Sequence, residues 1–148
     1  MIDWGVVAAW VASIAAIVTV VITLMGLKKQ MQLNFFSDYT KRYQEIILNF
    51  PESINQKDFD FNILPKEERD KTLRYMRAYF DLCSEEYFLH KKKHIDEEMW
   101  GQWESGIKFA FSKTAFKKAW QILRTDTIYD GEFTKFVNDS IPNNELQH

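Results

Sequence analysis

Apolar and polar positions divide the chain into two unlike parts. From Trp4 to Leu27 it reads WGVVAAWVASIAAIVTVVITLMGL, with no charged side chain and no polar face. A helix of that length rises about 36 Å, enough to cross about 30 Å of hydrocarbon with some tilt. In lipid, a helix satisfies every backbone group within its own segment. A signal peptide would show a basic leading region and a shorter apolar core, whereas here Met1, Ile2 and Asp3 precede a long one. The pattern therefore predicts a retained transmembrane helix over 4–27, behind a short extracytoplasmic N-terminus at 1–3.

Beyond Leu27 the apolar residues fall into stripes. Phe36, Tyr39, Tyr43, Ile46 and Phe50 repeat at alternating spacings of three and four, which predicts a helix that Pro51 ends at or before Phe50. Residues 51–65 carry two prolines and the alternating Phe59, Phe61 and Ile63. With no partner strand in view they read as an ordered loop. Leu73, Met76, Phe80, Cys83 and Tyr87 repeat the helical spacing, so a helix is expected from Lys66 to about Lys92, with Arg77 and Asp81 paired one turn apart. Asp96, followed by Glu97 and Glu98, marks the start of the next helix, with Trp100, Trp103, Ile107 and Phe111 on one face. Gly101 and Gly106 weaken that helix and suggest close helix approach. Further helices are expected over about 113–124 and 131–138. The predicted class is all-α: one transmembrane helix, a four- to five-helix cytosolic domain over 28–140, and a disordered tail over 141–148.

Charge sets the expected orientation. Asp3 lies before the span, and Lys28 and Lys29 directly follow it. The positive-inside rule then places the N-terminus outside and the helical domain in the cytoplasm, at the plasma (inner) membrane. The single cysteine, Cys83, cannot form an internal disulfide and suits a reducing compartment. After the span there are 19 basic and 20 acidic side chains. That balance lacks the basic excess of a nucleic-acid-binding domain, so nucleic acid is not an expected partner.

Two rows of small residues follow the helical repeat within the span: Gly5, Ala9 and Ser13, and beside them Ala8, Ala12 and Ala16. Such rows let helix backbones approach closely in lipid and point to a homo-oligomer; alanine is also simply common in membrane spans. Trp100, Trp103 and Trp120 belong to an aromatic set that serves either as core or as a docking surface.

Chemistry is sparse. Glu86, His90 and His94 sit at i, i+4 and i+8, so one helix could align them as metal ligands if it continued through Lys91, Lys92 and Lys93. The lysine run disfavours a cation there, and a solvated helix end is the plainer reading. Cys83 with His90 or His94 could make a nucleophile and base, but Cys83 lies on an apolar stripe where cysteine packs inertly. Asp81, Glu85 and Glu86 read as a solvated acidic face. No phosphate loop, dinucleotide fingerprint or paired-cysteine motif occurs, and no cofactor is expected.

FFSDYTKRYQEIILNFPESI, YMRAYFDLCSEEYFL and the Trp100 to Ile107 segment WGQWESGI resemble small uncharacterised bacterial single-pass membrane proteins. The resemblance implies a membrane span with a helical cytosolic domain and brings no activity and no functional residues. Together these readings lead to a non-enzymatic, membrane-anchored interaction or signalling module. Its expected partners are the lipid bilayer, a second copy, and a protein or small-molecule signal. The alternatives are an effector that perturbs the bilayer on oligomerising, and a membrane-bound enzyme using residues 81–94.

Overall fold

A computed structural model describes residues 3–141 of the chain. Among these residues it contains five α-helices and no strand. The helices are α1 (Trp4–Ile47), α2 (Lys66–Lys91), α3 (Glu97–Phe111), α4 (Thr114–Leu123) and α5 (Gly131–Ser140), and two 3-10 turns, Glu52–Asn55 and Phe61–Ile63, lie between α1 and α2. The chain divides into two compact units, Met1–Ser37 and Asp38–His148.

The described part of the first unit is helical from Trp4 onward. Asp3 begins it: its carboxylate accepts from the backbone N–H of Gly5 at 3.0 Å, satisfying a donor that the first turn cannot. Every residue from Trp4 to Leu27 is exposed, and the helix is long and apolar enough to cross a membrane. Ser13, Thr19 and Thr23 donate their hydroxyls to the carbonyls of Ala9, Ala15 and Thr19, four residues back, at 2.8–2.9 Å. The three hydroxyls of the stretch are thus satisfied within the helix, which suits a hydrocarbon surrounding.

The second unit has its own core. Met76, Phe80, Phe111, Phe133 and Val137 are fully buried, and Trp120 joins them at 1% exposure. Phe80 stacks on Phe111 at 5.3 Å and meets Trp120 edge-on at 5.3 Å. Such geometries add to the area these rings remove from water. The end of α1 packs by the stripe the sequence lays out. Tyr39 stacks on Trp103 at 5.2 Å, Tyr43 lies 6.2 Å from Tyr79, Ile46 is buried, and Phe50 meets Phe116 edge-on.

Local starts and stops follow from capping chemistry. Asp96 caps α3 by accepting from Met99 N at 2.9 Å, and Asp130 caps α5 by accepting from Glu132 and Phe133. The segment 51–65 is the ordered, strandless connector expected: Phe59 and Phe61 turn inward and meet edge-on at 4.9 Å, and Asp60 between them accepts from Asn62 N.

Several expectations need correction. Gly101 and Gly106 do not mark close helix approach, because a Cβ at either meets nothing within 4 Å. Arg77 and Asp81 do not pair with each other. Arg77 reaches Asp126 at 2.8 Å and also contacts Thr127, while Asp81 accepts from the Tyr129 hydroxyl at 3.0 Å. Their partners lie in the loop between α4 and α5, so both side chains tie that loop to α2. Of the tail expected to be disordered, Ile141 is buried and caps α5, its N–H donating to Asn138 O; residues 142–148 lie outside the described part.

Candidate functional site

Gly5, Ala8, Ala9, Ala12, Ser13 and Ala16 are exposed on α1, as are Lys28 and Lys29. The two small-residue rows therefore offer a surface with no cover from the described residues.

In the second unit the tryptophans separate. Trp120 lies at the centre of the core, and its indole N–H donates to Asn138 Oδ1 at 3.3 Å. Trp100 is 6% exposed, packed between the His90 ring (4.6 Å, nearly parallel) and the Tyr87 and Phe136 rings. Neither is available for docking, because this small unit uses its largest rings to fill its own interior. Trp103 is half-buried against Tyr39.

α2 ends at Lys91, before His94. The N–H of Lys93 returns to His90 O and that of His94 to Leu89 O, with Lys93 in the left-handed region at φ 58°. This is the Schellman arrangement that stops a helix. His94 consequently lies off the helix, and the i, i+4, i+8 register that would align it with Glu86 and His90 is broken. Among the described residues no group of three or more His, Cys, Asp or Glu side chains is placed to hold a metal ion. The His90 ring lies flat on Trp100, and its Nδ1 is buried with no hydrogen-bond partner among the described residues, 3.9 Å from the Glu97 carboxylate. Cys83 is fully buried, and burial pushes its thiol well above the usual range. The thiolate that nucleophilic chemistry requires is therefore disfavoured.

The most unusual electrostatics lie where the end of α1 crosses α2. Arg42 grips Glu85 with both terminal guanidinium nitrogens, at 2.7 and 3.2 Å, while the Tyr39 hydroxyl donates to the same carboxylate at 3.0 Å. Arg42 holds the Glu85 carboxyl below its ordinary value, and burial beside Glu85 pushes the Tyr39 phenol up to about 12. Next along the chain, Glu86 is only 6% exposed, and no hydrogen bond reaches its carboxyl among the described residues. Burial pushes its pKa up to about 8, with Glu85 adding to the rise and Arg42 opposing it. Expected on a solvated face, Glu86 instead belongs to a second inward stripe, Thr72, Met76, Tyr79, Cys83 and Glu86, at alternating spacings of four and three. That spacing was the available signal, masked by the carboxylate at one end and the threonine at the other.

Two of the clefts on this unit are lined in part by α2. One of about 270 Å³ lies between the end of α1, α2, α3 and α4, lined by Tyr43, Phe50, Tyr79, Phe109 and Phe116, with Lys113 among the lining. The other, about 490 Å³, is lined by Tyr87, Phe88 and Lys91 of α2 and by Glu132 and Phe133 of α5. Lys91 and Glu132 bridge across it at 3.0 Å.

No known protein family, curated protein or solved structure matches this chain.

Proposed function

We propose that the chain is a single-span membrane protein whose helical unit binds a partner protein or a small signal on the cytoplasmic side. One observation carries this reading: the 4–27 stretch of α1 is apolar all round and fully exposed, while residues 38–141 build a core of their own. Exposing so much apolar surface to water would be costly at about 25 cal/mol per Å². Lipid is the surrounding that removes the cost. Lys28 and Lys29 favour the orientation with the N-terminus outside, and the small-residue rows favour pairing of spans. The buried thiol, the helix stop ahead of His94 and the two clefts favour binding over catalysis. The larger cleft falls within the usual size range of ligand pockets.

Fractionation of cells expressing the full chain tests the anchor. The protein is expected in the membrane pellet after alkaline carbonate washing and in the supernatant only with detergent. Recovery in the soluble fraction without detergent overturns the reading. Protease added outside intact cells is expected to leave the helical unit whole, and digestion of that unit overturns the orientation. For pairing, the particle size in detergent is expected to fall in Ala9→Leu and Ala12→Leu; an unchanged size removes the small-residue interface.

A further inference from the structure

The Glu86 carboxyl stands apart from every other acid described in this unit. It is 6% exposed, no group of the described residues donates a hydrogen bond to it, and Tyr39, Arg42 and Tyr43 of the end of α1 act on it. A buried carboxylate without donors is costly, so such a group stays neutral while the cover remains in place. We propose that Glu86 is a proton-operated latch: with its carboxyl neutral, residues 38–47 stay seated on α2, and with it ionised they lift away.

The surroundings fit a latch better than a permanent core position. α1 contributes Tyr39, Arg42 and Tyr43, and α2 contributes Tyr79, Cys83 and Glu85. α3 contributes Trp103, which is uncharged, through its stacking on Tyr39. Its nearby acid Glu104 is held by Lys108 at 2.7 Å. Arg42 is the cation that acts on Glu86, where it opposes the effect of burial, and both its terminal nitrogens already donate to Glu85. A charged Glu86 would have to share that guanidinium with Glu85. The cover itself is thin: Tyr43 and Arg42 are exposed at their outer edges, and Ile46, at 9% exposure, is the one buried residue of α1. Local opening draws on such lightly buried segments.

The direction follows from proton linkage. In the lifted state Glu86 meets water and ionises near its ordinary value of 4.5; in the seated state it holds its proton up to about 8. Between those values the seated state binds the extra proton, so raising the pH favours the lifted state, by up to about tenfold per pH unit. The latch acts within the second unit and holds whether or not the apolar stretch enters a membrane, so its failure and the failure of the anchor reading are separate results.

Amide hydrogen exchange on the full chain in detergent micelles tests it, with rates corrected for the intrinsic effect of pH. Protection of residues 39–47 is expected to fall by up to about tenfold per pH unit from about pH 6 to about pH 8 while α4 keeps its protection. Glu86→Gln is expected to remove that dependence. Constant protection of residues 39–47, an equal loss in every helix, or a slope that survives in Glu86→Gln overturns the proposal. If Glu86→Gln does not fold, infrared spectroscopy of the unaltered protein decides. A neutral-carboxyl band that persists at neutral pH and disappears together with the protection of 39–47 supports the latch. A spectrum with every carboxyl ionised by about pH 6 overturns it.

Discussion

The stretch Trp4–Leu27 and the end of α1, residues 39–47, are parts of one helix and use their apolar residues in opposite ways. In the first, apolar side chains surround the helix and none is covered; in the second they form one stripe, and that stripe is packed. The Arg42–Glu85 pair and the exposed Lys41 sit beside that stripe, whereas the first stretch has no charge to place. The contrast teaches that apolar content alone does not locate a core. An apolar stripe with a polar complement is built for a protein neighbour, and an apolar surface without one is built for a solvent that is itself apolar.

The contrast is sharpened by changes that should strike one region and spare the other. The largest effect belongs to charge in the uncovered stretch. Ile14→Lys combined with Val18→Lys places two ammonium groups near the middle of the span, at about 2.5–3.5 kcal/mol each. Carbonate-resistant membrane retention is expected to collapse, while the thermal transition of the helical unit, followed by near-UV circular dichroism, stays within a few degrees. Retention unchanged by both lysines would break the comparison.

The mirror experiment removes a ring from the covered core. Phe80 is fully buried between Phe111 and Trp120. Phe80→Ala is expected to cost about 3–5 kcal/mol of unfolding free energy through the lost burial and the cavity left behind. Membrane retention should not change. A loss below about 1 kcal/mol would mean that the rings stacked around position 80 are not the centre of this core.

Acidity probes the contact between the end of α1 and α2. Because the carboxyl of Glu86 titrates at about 8 when folded and near 4.5 when exposed, folding retains a proton that unfolding releases. The stabilising preference for acid is whole below about pH 4.5, declines as the pH rises, and is gone above about pH 8. Urea denaturation midpoints are expected to fall from about pH 5 to about pH 8, with the slope removed in Glu86→Gln. At neutral pH that variant is expected to be more stable than the parent, by roughly 2–3 kcal/mol. A midpoint independent of pH would sink this assignment of the buried acid.

Much of this was legible in the sequence where a single physical cause acted alone. The uncharged stretch, the stop ahead of Pro51, the Asp96 cap and the tyrosine stripe were read from periodicity and end chemistry, and each stands in the structure. What escaped depended on neighbours distant in the chain. Glu86 looks like a surface acid until Tyr43 of α1 is seen above it, and Arg77 looks like the partner of Asp81 until the loop at Asp126 and Thr127 folds against it. Trp100 and Trp120 could have been surface or core, because an indole serves both; the small size of the unit decides for core. The end of α2 near Lys92 was also legible, but the stop itself is made by lysine in a conformation that normally selects glycine.

That lysine offers the smallest and cleanest test. Lys93 holds φ at 58°, where a Cβ crowds the following carbonyl at a cost of roughly 1 kcal/mol, so that glycine is the usual choice at this position of a Schellman stop. Lys93→Gly relieves the crowding and returns part of the gain to the unfolded chain, which becomes more flexible. The net expectation is a stabilisation of about 0.5–1 kcal/mol, or a rise of roughly 2–8 °C in the melting temperature of the helical unit. The substitution lies far in sequence from 4–27, so membrane retention should be untouched. Lys93→Ala keeps the Cβ and removes only the charge, and it should leave the melting temperature close to the parent's. If alanine stabilises as much as glycine, the relevant property of Lys93 is its ammonium group beside Lys91 and Lys92, and the backbone stop is not under strain.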